Sequence, residues 1–188
     1  MITIRHERST DIAAREAILD SAYGDCRFTK PSARLRDGRM PAGGLALVAV
    51  ERGRVVGTVR LWNVSAGPDR AALLLGPLAV ACDAQGRGIG TKLMARALRE
   101  ARRLGHRAVL LVGDVTYYGR FGFSAAKTSK LRIPGRYEQD RLLGLELVSG
   151  GLNGATGLIC ATGDRVRTDL PDFIVAPVYA REAFARAA

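Results

Sequence analysis

The segment between residues 71 and 112 most constrains what this chain can fold into. Ala71–Val80 (AALLLGPLAV) is almost continuously apolar, the pattern of a strand buried on both faces. A glycine-rich loop follows, and from residue 88 to about 104 the period turns helical. Ile89, Leu93, Ala97 and Ala101 lie four apart, with Met94 and Leu98 on the same face. Arg96, Arg99, Glu100 and Arg103 take the opposite face. Gly105 stands where a helix C-terminus favours glycine. Residues 107–112 read as a second buried strand. Strand, loop, helix and strand make a βαβ unit, so the two strands are expected to run parallel or nearly so.

The remaining elements are read around this unit. Ile2–His6 alternates as an edge strand does, and Thr10-Asp11 opens a helix running to about Tyr23. Residues 24–44 form a long polar connection in which Ser32-Ala33-Arg34-Leu35-Arg36 suggests a short helix. Residues 45–51 and 54–62 flank Arg52-Gly53 as a β-hairpin. Gly67-Pro68-Asp69 is a turn leading into Ala71–Val80. Residues 115–121 suggest a short aromatic helical turn, 142–148 a strand, and Leu158-Ile159-Cys160 a further strand within the glycine-rich stretch 150–163. No repeat or linker divides the chain, so residues 1–188 are read as one domain. The tail from about Asp164, with Phe173-Ile174-Val175, is the least defined part.

Composition narrows the function classes. The chain has 188 residues and a net charge of +11, which attracts anions without choosing among them. The arginines are scattered and aromatics do not interleave with them, so a nucleic-acid role is not favoured. Nothing approaches the roughly 20 apolar residues of a membrane span, and the N-terminus does not read as a secretory signal. The three cysteines, Cys26, Cys82 and Cys160, are far apart, and only two histidines, His6 and His106, accompany them. Neither a zinc site nor a disulfide framework is expected. Reduced, mostly buried thiols in a cytoplasm are the expectation.

The chemistry resides in Gln85-Gly86-Arg87-Gly88-Ile89-Gly90-Thr91. Glycines let the backbone turn tightly and let a ligand approach the amides. Amides at a helix start lack intrahelical partners, and the helix dipole favours negative charge there. A phosphate or pyrophosphate suits such a place, and Arg87 can add a charge-assisted contact. A dinucleotide fingerprint starting at Gly86 would need glycine where Thr91 stands, and the acidic ribose ligand further on is missing. Gly90-Thr91-Lys92 does not supply a P-loop ending either. The pattern that fits is Q-x-x-G-x-G after a buried strand.

With this loop, the chain resembles the GNAT superfamily of acetyl-CoA-dependent N-acetyltransferases. Gln85, Gly88 and Gly90 match the family's pyrophosphate loop. Tyr117-Tyr118-Gly119-Arg120-Phe121-Gly122-Phe123 looks like its Y-x-x-x-G-F ending, with Tyr118 in the tyrosine position. The order of elements matches as well, and the resemblance covers residues 45–123.

This resemblance implies an α/β (α+β) fold: a mixed, mostly antiparallel central sheet with a parallel, splayed strand pair, flanked by helices. It implies acetyl-CoA as acetyl donor, held by Leu78, Ala79, Val80, Gln85, Gly86, Arg87, Gly88, Ile89, Gly90, Thr91, Tyr118 and Phe121. Leu78 N–H would polarise the acetyl carbonyl, and Tyr118 would protonate the leaving sulfur or else only position the pantetheine. Gly76-Pro77 fits a bulge in that strand, since proline cannot donate to the ladder. Tyr117 would be core or cofactor wall.

The acceptor would be a small-molecule or peptide amine. Its identity and the oligomeric state are not legible, and a homodimer is compatible with the sequence. No carboxylate lies on Ala71–Val80, where many relatives carry a base. Asp114 is a candidate base, although a helix N-cap is the preferred reading. Glu51 reads as a hairpin-end surface residue and His106 as a solvated one, which leaves water-relayed deprotonation as the default. Cys26 and Cys82 lack a histidine to activate them, so direct transfer is favoured over an acyl-enzyme. Trp62 and Asn63 could line an acceptor cleft, with core packing and a turn as equal explanations. A non-catalytic acyl-CoA-binding module is the alternative reading, and a nucleic-acid-binding protein the third.

Overall fold

A computed structural model describes residues 1–166. The expected Phe173-Ile174-Val175 segment and the end of the tail lie outside the described residues. The strands are β1 (Ile2–His6), β2 (Ala46–Glu51), β3 (Arg54–Ala66), β4 (Ala71–Val80), β5 (Ala108–Val112), β6 (Leu131–Arg132), β7 (Leu142–Glu146) and β8 (Gly157–Ala161). The helices are α1 (Ile12–Tyr23), α2 (Cys26–Thr29), α3 (Pro31–Arg34), α4 (Ile89–Arg103) and α5 (Val115–Gly119).

The main sheet runs β1-β2-β3-β4-β5-β7, with β8 joining β3 and β6 joining β8. The β4–β5 pair is parallel and joins only Leu73 to Val109 and Leu74 to Leu110. Beyond Leu74 the two strands part, which opens a gap in the middle of the sheet. The other pairs in the main path are antiparallel. The expected architecture, including the splayed pair, is what the chain adopts.

Two faces clothe this sheet. On one, Ile89, Leu93, Met94, Ala97, Leu98 and Ala101 of α4 pack on Leu47, Ala49, Val59, Leu61, Leu73, Leu75, Val109 and Leu111. Those are the helix residues whose fourfold spacing predicts an apolar stripe. On the other face, Ile18 and Leu19 of α1 meet Val48, Val55 and Ala79. Further along that face, Leu35, Trp62, Leu74, Leu110, Leu131 and Ile159 form a third cluster. Gly57 allows α4 its close approach, because a Cβ there would come within 3.0 Å of Leu93 and 3.2 Å of the Ala79 carbonyl.

Several expectations change in detail. The hairpin turn at Arg52-Gly53 forms with positive φ at both residues (50° and 79°), the primed turn that matches strand twist. Its second strand continues past Trp62 to Ala66, because Asn63, Val64 and Ser65 stay paired with β4 while Val64, Ser65 and Ala66 also pair with β8. Asn63 is therefore a strand residue and not a turn, and its carbonyl accepts from Thr162 and Gly163. Trp62 is core, 4% exposed, with its indole N–H donating to Gly76 O at 2.5 Å. The long 24–44 connection holds two one-turn helices, α2 and α3, instead of one. The cysteines are a correction: all three are exposed and unpaired. Cys160 sits on the outward side of β8 opposite buried Ile159, and Cys82 follows the end of β4, beyond the packed layer.

Candidate active site

The gap between β4 and β5 organises the site. Opposite Arg60 of β3, β4 carries two residues, Gly76 and Pro77, between the pairs Leu61–Leu75 and Val59–Leu78. This is the expected bulge. One extra residue inverts the alternation that follows, so Leu78 and Val80 turn their side chains toward the α4 face while Ala79 packs under α1. Ala81 N donates to Val56 O on β3 at 3.0 Å. Backbone groups alternate along a strand, so those of Ala79 and Ala81 point at β3 and those of Leu78 and Val80 point into the gap. Their carbonyls are in fact met there by side chains: Leu78 O by the Tyr23 hydroxyl and Val80 O by Gln85 Nε2 at 3.3 Å.

The loop behind Val80 forms a cradle. Gly86 and Gly88 both take positive φ (74° and 72°), which a side chain would strain. Gly88 is the N-cap of α4 and offers no side-chain cap. The first α4 amide with a helical acceptor is that of Lys92, donating to Gly88 O at 3.0 Å. The amides of Ile89, Gly90 and Thr91 thus lack acceptors within the helix, at the positive end of its dipole. The glycine-rich pattern predicts this cradle directly. Arg87 points elsewhere: it forms a two-pronged pair with Glu51 at 2.6 and 2.9 Å. Glu51 is therefore engaged in holding this loop to the hairpin, and the pair depresses its carboxyl pKa.

Tyr118 closes the far side. Asp114 caps α5 by accepting from Tyr117 N at 2.8 Å, as the preferred reading expects, and so is occupied. This cap aims Tyr117 and Tyr118 back toward the gap, with their rings 4.8 Å apart edge to face. The Tyr118 ring lies directly on Gly113 at the end of β5, where a Cβ would come within 2.3 Å of it. Burial holds the Tyr118 hydroxyl well above the ordinary tyrosine pKa, with Tyr23 and Tyr117 reinforcing the shift. Tyr117 places its hydroxyl beside Gly90, 2.9 Å from where a Cβ would stand, and so walls the cradle. Phe121 tilts against Tyr117 at 5.8 Å. His106 is half-buried, and burial lowers its pKa.

Two residues escape a local reading. Tyr23 is marked in the sequence only as a helix end, yet it reaches across to Leu78 O. Arg120 stacks over the rings of Tyr117 and Phe121 at 4.0 and 5.1 Å and brings a cation to this side of the cradle. Gly113 is a third position with a hidden constraint. Gly113→Ala should push the Tyr118 ring off its seat and lower kcat by about tenfold, with overpacking of roughly 1–3 kcal/mol shared between fold and site. Steady-state kinetics and a melting curve on the variant check this.

A gap in the sheet and a glycine-rich turn into a helix at the end of the parted strand are features of the acetyltransferase class. Residues 12–123, more than half the chain, match the model of the acetyltransferase (GNAT) family, and the chain belongs to that family. It is 31% identical over 159 residues to YhbS of Escherichia coli strain K12, an uncharacterized N-acetyltransferase, covering 83% of this chain and 93% of YhbS. The crystal structure of Escherichia coli YhbS in complex with CoA superposes with a TM-score of 0.73 at 30% identity, covering 86% of this chain and 89% of that one. A GNAT acetyltransferase from Brucella melitensis in complex with acetyl-CoA gives a TM-score of 0.59 at 26% identity, covering 88% and 94%.

Proposed function

We propose that this N-acetyltransferase takes acetyl-CoA as donor, binds it in the β4–β5 gap and transfers the acetyl group directly to a small-molecule or peptide amine. The observation that carries the reading is the continuity of gap and cradle: backbone groups of Leu78 and Val80 face the gap, and the acceptor-free amides of α4 stand at its end. The pantetheine amides suit the first and the pyrophosphate suits the second. Gln85 and the glycines shape the cradle, Thr91 lies at its edge, and Phe121 with Tyr117 forms its wall. Arg120 supplies a cation beside it, while Arg87 first has to leave Glu51.

The steps on this chain's residues follow. Leu78 N–H points into the gap and donates to the acetyl oxygen as negative charge builds on it. The acceptor nitrogen bonds to the carbonyl carbon, and the carbon–sulfur bond then breaks. Tyr118 gives its proton to the departing sulfur. Its raised pKa keeps that proton in place at neutral pH. The attacking amine loses its proton to water, since Asp114 and Glu51 are both engaged. Unpaired, exposed thiols suit a reducing cytoplasm, where this reading places the protein. Among the described residues, no helix is long and apolar enough to cross a membrane.

Acetyl-CoA should stabilise the protein by mass action, by about 2.7 kcal/mol at one hundred times its Kd. For a chain of this size that is a rise in Tm of roughly 5–10 °C. A melting temperature unmoved by saturating acetyl-CoA would remove the donor assignment.

A further inference from the structure

The α1 side of the gap carries positive charge that the donor reading leaves unused. Lys30 joins α2 to α3, pinned by Pro31 after it and by its own carbonyl, which accepts from Ala33 N at 2.8 Å. Its ammonium sits 4.2 Å above the Tyr23 ring. Tyr23 in turn holds Leu78 O, so Lys30 is separated from the acetyl-transfer position by one tyrosine side chain. Arg141 lies in the turn just before β7: its carbonyl accepts from Gly113 N at 2.9 Å, Gly113 carries the Tyr118 ring, and the Arg141 charge acts on Lys30.

These cations differ from their neighbours. Arg15, Arg27 and Arg60, on the same side of the sheet, are each paired with carboxylates. Among the described residues no carboxylate pairs with Lys30 or Arg141. Partial burial, then Arg36 and Arg141, lower the Lys30 pKa; the Cys26 thiol opposes them, and no carboxylate is among the influences. Lys30 and Arg141 are both solvent-exposed beside the half-buried Tyr23, and like charges gathered there attract an anion. The donor's phosphates do not serve that purpose, because their cradle lies at the start of α4, beyond Val80 and on the other face of the sheet.

We propose that Lys30 and Arg141 form an anion subsite for the acceptor, and that the acceptor is a small amine bearing a carboxylate a few bonds from its nitrogen, an amino acid in the simplest case. With the carboxylate at Lys30, the amine is directed past Tyr23 toward Leu78, where the acetyl group is attacked. This rests on the acetyl-CoA reading above and specifies its second substrate.

The test follows thiol release from acetyl-CoA with glycine, aspartate and glutamate, each against its carboxamides, and with a neutral alkylamine. The free acids should be preferred over the amides by about tenfold or more in kcat/KM, as for a hydrogen bond to a charged group. Lys30→Met should raise the acceptor KM about tenfold and reduce the preference for acid over amide, with the KM for acetyl-CoA within twofold. Lys30→Arg should restore the preference, and Arg141→Gln should weaken it in the same sense. Equal use of acids and amides, or no acetylation of any free acid while acetyl-CoA binds, would overturn the subsite and leave the donor reading standing. A Lys30→Met loss confined to acetyl-CoA affinity would also overturn it, by assigning Lys30 to the donor. If acetyl-CoA itself fails to bind in the melting assay, it is the donor reading that falls.

Discussion

Tyr118→Phe is expected to lower kcat by about two to three orders of magnitude while leaving acetyl-CoA affinity within about twofold. General acids contribute roughly 10²–10⁴-fold, and the ring that packs on Gly113 and against Phe123 at 6.1 Å is retained in the variant. Only the hydroxyl is lost. The departing thiolate is a tolerable leaving group, which keeps the effect toward the lower end of that range. Single-turnover kinetics separate this from slow product release, and equilibrium titration with acetyl-CoA checks the affinity. The pH dependence provides a second reading. The Tyr118 pKa lies above the ordinary value of about 10, so its acid form persists at every lower pH. The kcat profile should rise with pH as the acceptor amine deprotonates and show no fall from Tyr118 below about pH 10. A descending limb near neutrality that disappears in Tyr118→Phe would contradict the buried environment. Unchanged turnover would reduce Tyr118 to a packing residue.

What the sequence revealed of this site is what short segments control. The cradle needs glycine at 86 and 88 because those φ values are positive, so composition alone marks it. The α4 stripe is set by a period of about 3.6, and the buried apolar residues are the ones it selects; Glu100, expected on the polar face, is a correction, since it is buried at 6% exposure between Arg96 and Arg103. Gly76-Pro77 marks a bulge because proline cannot donate within a ladder. Tyr118 stands beside the gap because Asp114 caps the turn that carries it, and the cap is four residues away in the chain.

The hidden features depend on residues that meet only in three dimensions. Tyr23 and Leu78 are 55 positions apart, and no periodicity links them. Arg87 has a carboxylate within reach only because the hairpin end at Glu51 folds over the loop. β3 runs on to Ala66 because it stays paired with β4 as far as Ser65 and gains β8 from far later in the chain, so the apolar pattern at Trp62 could not show where the strand stops. Cysteine burial failed for a related reason. The residue type is usually buried, but Cys160 lies on the outward alternation of its strand and Cys82 just past an element end. Position within the element decided exposure there, and residue preference did not.

Removing Glu7 is the largest expected stability change. Its carboxylate accepts from Arg15 at 2.5 Å and from Arg60 Nε at 3.0 Å, with a second Arg60 contact. The Glu7 and Arg15 side chains are only 6% and 2% exposed. Burial raises the Glu7 pKa, and the Arg15 guanidinium opposes that rise. The network therefore spends much of its Coulomb energy on desolvation, yet deleting one partner exposes the whole penalty of the charges left behind. In Glu7→Ala, Arg15 keeps Glu16 at 2.5 Å, but among the described residues Arg60 retains only the face of Trp62 at 5.8 Å. The loss should fall at the lower end of the 3–5 kcal/mol typical of broken buried pairs, about 3 kcal/mol, or a drop in Tm on the order of 10 °C. Glu16→Gln, which leaves Glu7 between its two arginines, should lose clearly less. Replacing all three charges together, with Glu7→Leu, Arg15→Met and Arg60→Met, should recover most of the stability, because no orphaned charge remains. Arg60 is also the residue that faces the Gly76-Pro77 bulge, and the bulge aims Leu78 into the gap. Glu7→Ala should therefore lose turnover several-fold even well below its melting transition. Full turnover at low temperature would show that the bulge holds its shape without Arg60.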